Sequence, residues 1–250
     1  LTTNGNVRVS VDSPFEEFSD TDSFVDVPTN GTQTDTGLGG EVRGNYCTWN
    51  PLDFQLVTPA NGNLDTTRSA ANWQTGRATF GISTGKWYWE TLVNAQGTDT
   101  RIGIASQVTG SDGEADVWRQ YIDNLNDGNG KNKNGGFDNS YGSSFTSGDI
   151  IGLAVDIDNG TIAFYKNNSS QGTAFTDIKT AMPTGGWIPF SRGYNGSIST
   201  TNWGQDSSFA GIKVAQGNQD SGGVGDFFYG PPSGFLALCT KNLPEPAVTP

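Results

Sequence analysis

The chain has 250 residues, with 26 acidic against 14 basic side chains, a net charge of −12 and no histidine. That charge repels a phosphate backbone and an anionic membrane surface, which excludes nucleic acid as a partner. The missing imidazole excludes Ser-His-Asp and Cys-His nucleophilic sites and the usual imidazole zinc sites.

Hydrophobic residues make up only 33% and there are 35 glycines, yet 14 Phe, 7 Tyr and 7 Trp supply large apolar surfaces from few positions. This is the composition of a turn-rich, β-rich protein. No apolar run approaches the roughly 20 residues that span a bilayer, so no membrane insertion is expected. The opening Leu1-Thr2-Thr3-Asn4-Gly5 lacks a charged n-region, an apolar h-region and an initiator Met. The chain therefore reads as an excised or processed part of a longer protein.

Residues 1–45 are dominated by Thr, Asn, Asp, Ser and Gly and read as a connector or stalk, with one alternating run from Val7 to Val11 suited to an edge strand. Residues 29–40 show no hydrophobic period and are expected to form a loop. A boundary near Gly44 precedes the apolar signals of Tyr46, Trp49, Leu52 and Phe54, so a β-sandwich is assigned to 46–243 and a short linker to 244–250.

The run Lys86 to Val93 alternates so that Trp87, Trp89, Thr91 and Val93 share one face and Tyr88, Glu90 and Leu92 the other. Both faces carry apolar surface, which suits a strand inside a two-layer structure. Arg101 to Ala105 is a further strand, and 115–125 is the one helix candidate, with Asp112 or Ser111 as its N-cap. A hairpin is expected over 149–165, with Asn159-Gly160 suited to a type I′ turn and Ile151, Leu153, Val155 and Ile157 on one face.

The ordered series Gly85-Lys86-Trp87-Tyr88-Trp89-Glu90, Ile102-Gly103-Ile104-Ala105, Gly148 to Asp156, Gly160 to Asn167 and Asn202-Trp203-Gly204-Gln205 resembles the successive core strands of SPRY domains. The resemblance implies an all-β fold, a two-layer antiparallel β-sandwich of the concanavalin-like jelly-roll kind, here with a polar N-terminal extension. Its loops at one end would form a binding surface. The flanks around Asp22 to Asn30, Asn45 to Leu52 and Gly234 to Pro246 are similar to segments bracketing such domains in bacteriophage tail-fibre-like proteins. The segments 110–136 and 211–232 depart from better-known animal members, so ligand contacts cannot be carried over from them.

The nearest approach to a glycosidase carboxylate set, Glu114 to Arg119, puts Arg119 where the third carboxylate should stand. The oxygen-rich run 123–130 lacks EF-hand positions and is read as a polar loop, so no metal or cofactor is expected. Glu90, Asp156 and Asp158 are read as structural, the first bonded to a cross-strand or backbone donor and the others supporting the turn. Cys47 and Cys239 are either two buried thiols or a single disulfide joining the ends. Trp118, Tyr121, Trp187 and Tyr194 lie in or beside segments rich in Gly, Asn or Ser, where rings can stack on a sugar, grip a protein or cap an open end of the sandwich. Trp203 is assigned to the core.

Together these readings give a non-enzymatic structural and binding module of a phage tail fibre, on a virion or outside the cell. It would contact a host-surface glycan or protein and other virion subunits, as a homo-oligomer and by family habit a trimer. A capsid, fibre or extracellular-filament subunit is the alternative, and a polysaccharide hydrolase the weakest reading.

Overall fold

The computed structural model describes residues 45–55, 58–69, 71–106, 118–124, 128–133 and 136–243. The expected connector, apart from Asn45, the strand at 7–11 and the linker at 244–250 lie outside the described residues.

The strands of the described residues pair into two sheets. One antiparallel sheet runs β1 (Trp49–Gln55), β4 (Trp73–Ala78), β13 (Ile188–Tyr194), β6 (Asp99–Ala105), β7 (Trp118–Asn124), β8 (Gly128–Lys133) and β9 (Gly136–Asp138). The other runs β12 (Ser169–Phe175), β11 (Thr161–Lys166), β10 (Ile150–Asp156), β5 (Lys86–Ala95), β14 (Ser197–Asn202), β3 (Asp65–Arg68) and β2 (Thr58–Ala60). The short β15 (Leu236–Ala237) pairs in parallel with Trp87 and Tyr88 of β5. The fold is the expected two-layer antiparallel β-sandwich.

The main core lies between the layers. Trp89 and Val93 of β5, Leu153 and Val155 of β10 and Phe164 of β11 meet Ile102 and Ile104 of β6 and Tyr121 of β7, all buried. The alternate face of β5 is buried as well. Tyr88 packs with Val224 and Phe227, and Leu92 with Phe209, because residues 203–235 fold back over the outside of that sheet. Asp220 holds this cover in shape: its Oδ1 accepts from the N–H groups of Gly222 and Val224, and its Oδ2 from Ala237 N and Asn242 Nδ2.

Two local expectations are corrected. Residues 118–124 of the expected helix form β7, paired on both sides through Ile122↔Arg101 and Ile122↔Gly130. Ladders on both sides pair the backbone groups of successive residues alternately to β6 and β8, whereas a helix of about eleven residues is marginal alone. The hairpin at 149–165 forms in the expected place, but its ladder closes at Asp156↔Thr161 over a four-residue loop instead of a two-residue type I′ turn. Gly160 supplies the left-handed residue at φ 76, and its N–H donates to Ile157 O at 3.2 Å.

Cys47 and Cys239 are buried and unbridged. Tyr46 is paired with Cys239, and successive side chains of an extended chain point oppositely. Cys47 therefore enters the inter-sheet core while Cys239 joins the outer cluster around Tyr88. One layer of sheet therefore stands between the thiols. No helix among the described residues is long and apolar enough to cross a membrane.

Candidate interaction surface

The antiparallel pairing gathers several strand ends at one end of the sandwich. β4 and β6 begin there, at Trp73 and Asp99, and β13 ends there at Tyr194, with Tyr194 in register with both. The connections at 96–98 and 195–196 meet beside them: Thr98 N donates to Tyr194 O at 3.1 Å. Gly97, at φ 65, allows this approach, since a Cβ there would overlap the Ser197 backbone N and lie 2.8 Å from Tyr194 O.

On this end Trp73 is 36% exposed, whereas Trp49, Trp87, Trp89, Trp187 and Trp203 are at most 3% exposed. Its ring lies 5.5 Å from that of half-buried Tyr194. The guanidinium carbons of Arg101 and Arg192 lie 4.2 and 4.3 Å from its ring centroid. Arg101 is itself held by Asp99 through paired bonds of 2.9 and 2.8 Å, a fork that two residues on one strand face can make. The result is an aromatic plate carrying two cations, preorganised on strands.

The sequence-chosen rings distribute differently. Tyr194 belongs to this surface. Tyr121 is fully buried, with its ring among Tyr141, Phe145 and Phe164 and its hydroxyl donating to Ser143 O. Trp187 is fully buried and its Nε1 donates to Ile178 O at 2.7 Å. Neither ring is presented to a ligand: inward register on β7, and the Ile82↔Trp187 bridge, turn them to the core despite their glycine-rich surroundings. Trp118 opens β7, and its side chain lies outside the described residues. Trp203 packs edge-on against Trp49 at 5.1 Å in the core.

The acidic residues read as structural take structural partners. Glu90 is fully buried and accepts from Phe228 N at 2.9 Å and Tyr229 N at 2.7 Å; burial pushes its pKa up to about 7. Asp156 accepts from Asn159 N and Nδ2 and pairs with Lys86 at 2.9 Å, and Asp158 accepts from Gly85 N. Of the oxygen-rich run, 123–124 stand opposite 128–129 on β7 and β8, while 125–127 lie outside the described residues. Glu114, Ala115, Asp116 and Val117 of the carboxylate motif also lie outside them.

Trp73, Arg101 and Arg192 were not among the sequence candidates. The i, i+2 spacing of Asp99 and Arg101 was available as a signal; nothing in the sequence distinguishes Trp73 from the buried tryptophans.

Residues 86–206 match the family described as SPRY domain. Among curated proteins, the chain is similar to the ATP-dependent RNA helicase Ddx1 of Drosophila melanogaster, 26% identical over 211 residues, covering 81% of this chain and 25% of that protein. It is 32% identical over 124 residues to the E3 ubiquitin-protein ligase RKP of Arabidopsis thaliana, covering 48% of this chain and 9% of that one. With the ATP-dependent RNA helicase DDX1 of Xenopus laevis it shares 34% over 129 residues, 50% of this chain and 17% of the relative. The chain thus spans a quarter or less of each of these relatives. Among solved structures, the SPRY domain of human HERC1 matches with a TM-score of 0.47 and 20% identity, over 61% of this chain and 96% of that one.

These relatives overturn the expected place on a bacteriophage. They are fly, plant and frog proteins named for helicase and ubiquitin-ligase activity, and none is named as a virion component. The tail-fibre, capsid and extracellular-filament readings and the virion or extracellular location fall with it, and none of these relatives is named for a host-glycan or virion-subunit partner.

Proposed function

We propose that this domain is a non-enzymatic protein-interaction module whose contact surface is the end of the sandwich carrying Trp73, Tyr194, Arg101 and Arg192. The observation that carries the proposal is the partly exposed Trp73 ring with two guanidinium groups packed on it, 4.2 and 4.3 Å from its centroid. Trp, Tyr and Arg are the residues that dominate binding energy at protein interfaces, and a plate fixed by its neighbours loses little entropy when a partner covers it.

The relatives support the same reading. Similarity to proteins named for unrelated chemistries, unwinding RNA and ligating ubiquitin, fits a part that supplies contact while chemistry resides elsewhere. A chain without histidine also lacks the commonest general acid and base.

Selection from a displayed peptide library on the purified domain tests it. Enriched peptides should lose about tenfold or more in affinity for the Trp73→Ala variant while the thermal midpoint stays within a few degrees of wild type. Binders indifferent to Trp73 and to Arg101 would count against this surface.

A further inference from the structure

A concave feature lies where the edge strands of the two sheets face each other, away from the Trp73 end. It is a cavity of about 410 Å³ lined by Lys131 and Lys133 of β8, Gly136 and Asp138 of β9, and Ala174, Phe175, Thr176 and Asp177 at the end of β12. β9 and β12 are the edge strands of the two sheets, so the cavity bridges the layers where neither sheet continues.

Its charges are unusual for this chain. Two lysines line it and the buried Arg119 stands behind its Asp177, in a chain with 14 basic residues and a net charge of −12. Arg119, 1% exposed, holds Asp177 through paired bonds of 3.0 and 2.7 Å, and Lys133 Nζ reaches the same carboxylate at 2.5 Å. Lys131 donates to Ala174 O at 2.8 Å and lies 3.6 Å from Asp138. Arg119, Lys131 and Lys133 against Asp138 and Asp177 leave one positive charge. Phe175 forms part of the wall, with Lys131 Nζ 5.7 Å from its ring centroid.

We propose that this cavity is a second recognition site, which takes a carboxylate side chain from an acidic segment of a partner protein. An ammonium has three donors, and Lys133 spends one on Asp177 while its side chain remains 53% exposed. An incoming carboxylate can share Lys133 with Asp177, whose other partner is Arg119, lay its methylenes against Phe175 and cancel the surplus charge. A phosphate dianion would leave the cavity net negative. The volume lies in the range of pockets that enclose a ligand group. This site does not depend on the Trp73 surface, and one can bind where the other does not.

Binding of a fluorescein-labelled hexaglutamate peptide to the full chain at low salt, read by anisotropy and by backbone amide shifts, tests the proposal. Hexaglutamine and a phosphoserine peptide of the same length serve as comparisons. Lys133→Gln keeps the Arg119 to Asp177 bonds and the Lys131 bond to Ala174 O, so the fold is retained; Lys241→Gln removes an equal charge elsewhere. We expect hexaglutamate to shift the amides of Lys131, Lys133 and residues 174–177, and Lys133→Gln to weaken it by about tenfold while Lys241→Gln does not. Equal weakening by both variants, shifts confined to the Trp73 and Tyr194 surface, or tighter binding of the phosphopeptide would each overturn it.

Discussion

Tyr229 donates its backbone N–H to the buried Glu90 carboxylate at 2.7 Å, and with the Phe228 N–H at 2.9 Å this ties the cover of residues 203–235 to the outside of β5. Burial dominates over these donors and raises the Glu90 pKa from 4.5 to about 7. An acid whose folded pKa lies above its unfolded value binds more protons when folded across that interval. Its contribution is therefore fully present below about pH 4.5 and is lost as pH rises to about 7, a difference of the order of 3 kcal/mol. Urea unfolding of wild type and Glu90→Gln across that interval should show a falling difference in stability, flat outside it. A constant difference would mean the carboxylate does not titrate there.

Asp177 behaves oppositely. The Arg119 hydrogen bonds hold its pKa down, to about 2. Its contribution is present above its unfolded value near 3.8 and lost as pH falls toward 2. Asp177→Asn leaves Arg119, 1% exposed, without its carboxylate, which should cost about 3 kcal/mol at neutral pH. Chemical denaturation measures this directly, and the variant should lose less stability than wild type on acidification below pH 4.

The legibility of the fold follows the period of its apolar residues. On β5 and β10 nearly every position is buried and the chain alternates Trp, Tyr, Leu and Val, so strands and both their faces could be assigned. β7 could not: polar Arg119 and Gln120 interrupt the alternation, and only ladders to β6 and β8 reveal that Arg119 points inward. The cover around Phe209, Val224 and Phe227 has no regular period at all, because Asp220 and Glu90 position it by hydrogen bonds to its backbone. The same limit governs the site. Tyr121 and Trp187 sit beside glycines that suggest exposure, yet strand register decides where a ring points, and register is set by partners remote in sequence.

The thiols give a simple test of the packing. Burial pushes the Cys47 pKa up to about 12 and raises that of Cys239. Because the thiolate is the reactive form, neither should react with a thiol-specific disulfide reagent in the native protein at neutral pH, and both should react after denaturation. Immediate labelling of one thiol without denaturant would show that the region around Tyr46 and Cys239 opens readily.

Gly97 connects stability to the proposed interaction surface. It stands at φ 65, where a side chain is strained, and a Cβ would meet the backbone of Ser197 and Tyr194, which cannot move aside as a flexible side chain can. Gly97→Ala should therefore cost about 2 kcal/mol or more and separate the 96–98 and 195–196 connections. Gly172, at φ 82 but with nothing within 4 Å of an added Cβ, isolates the backbone strain from the clash. Gly172→Ala should cost about 1 kcal/mol. Tyr194 precedes the displaced turn and its ring sits 5.5 Å from Trp73, so Gly97→Ala should also weaken peptides that bind through Trp73, while Gly172→Ala leaves their affinity unchanged. Parallel denaturation and binding curves for the two variants separate loss of fold from loss of the surface.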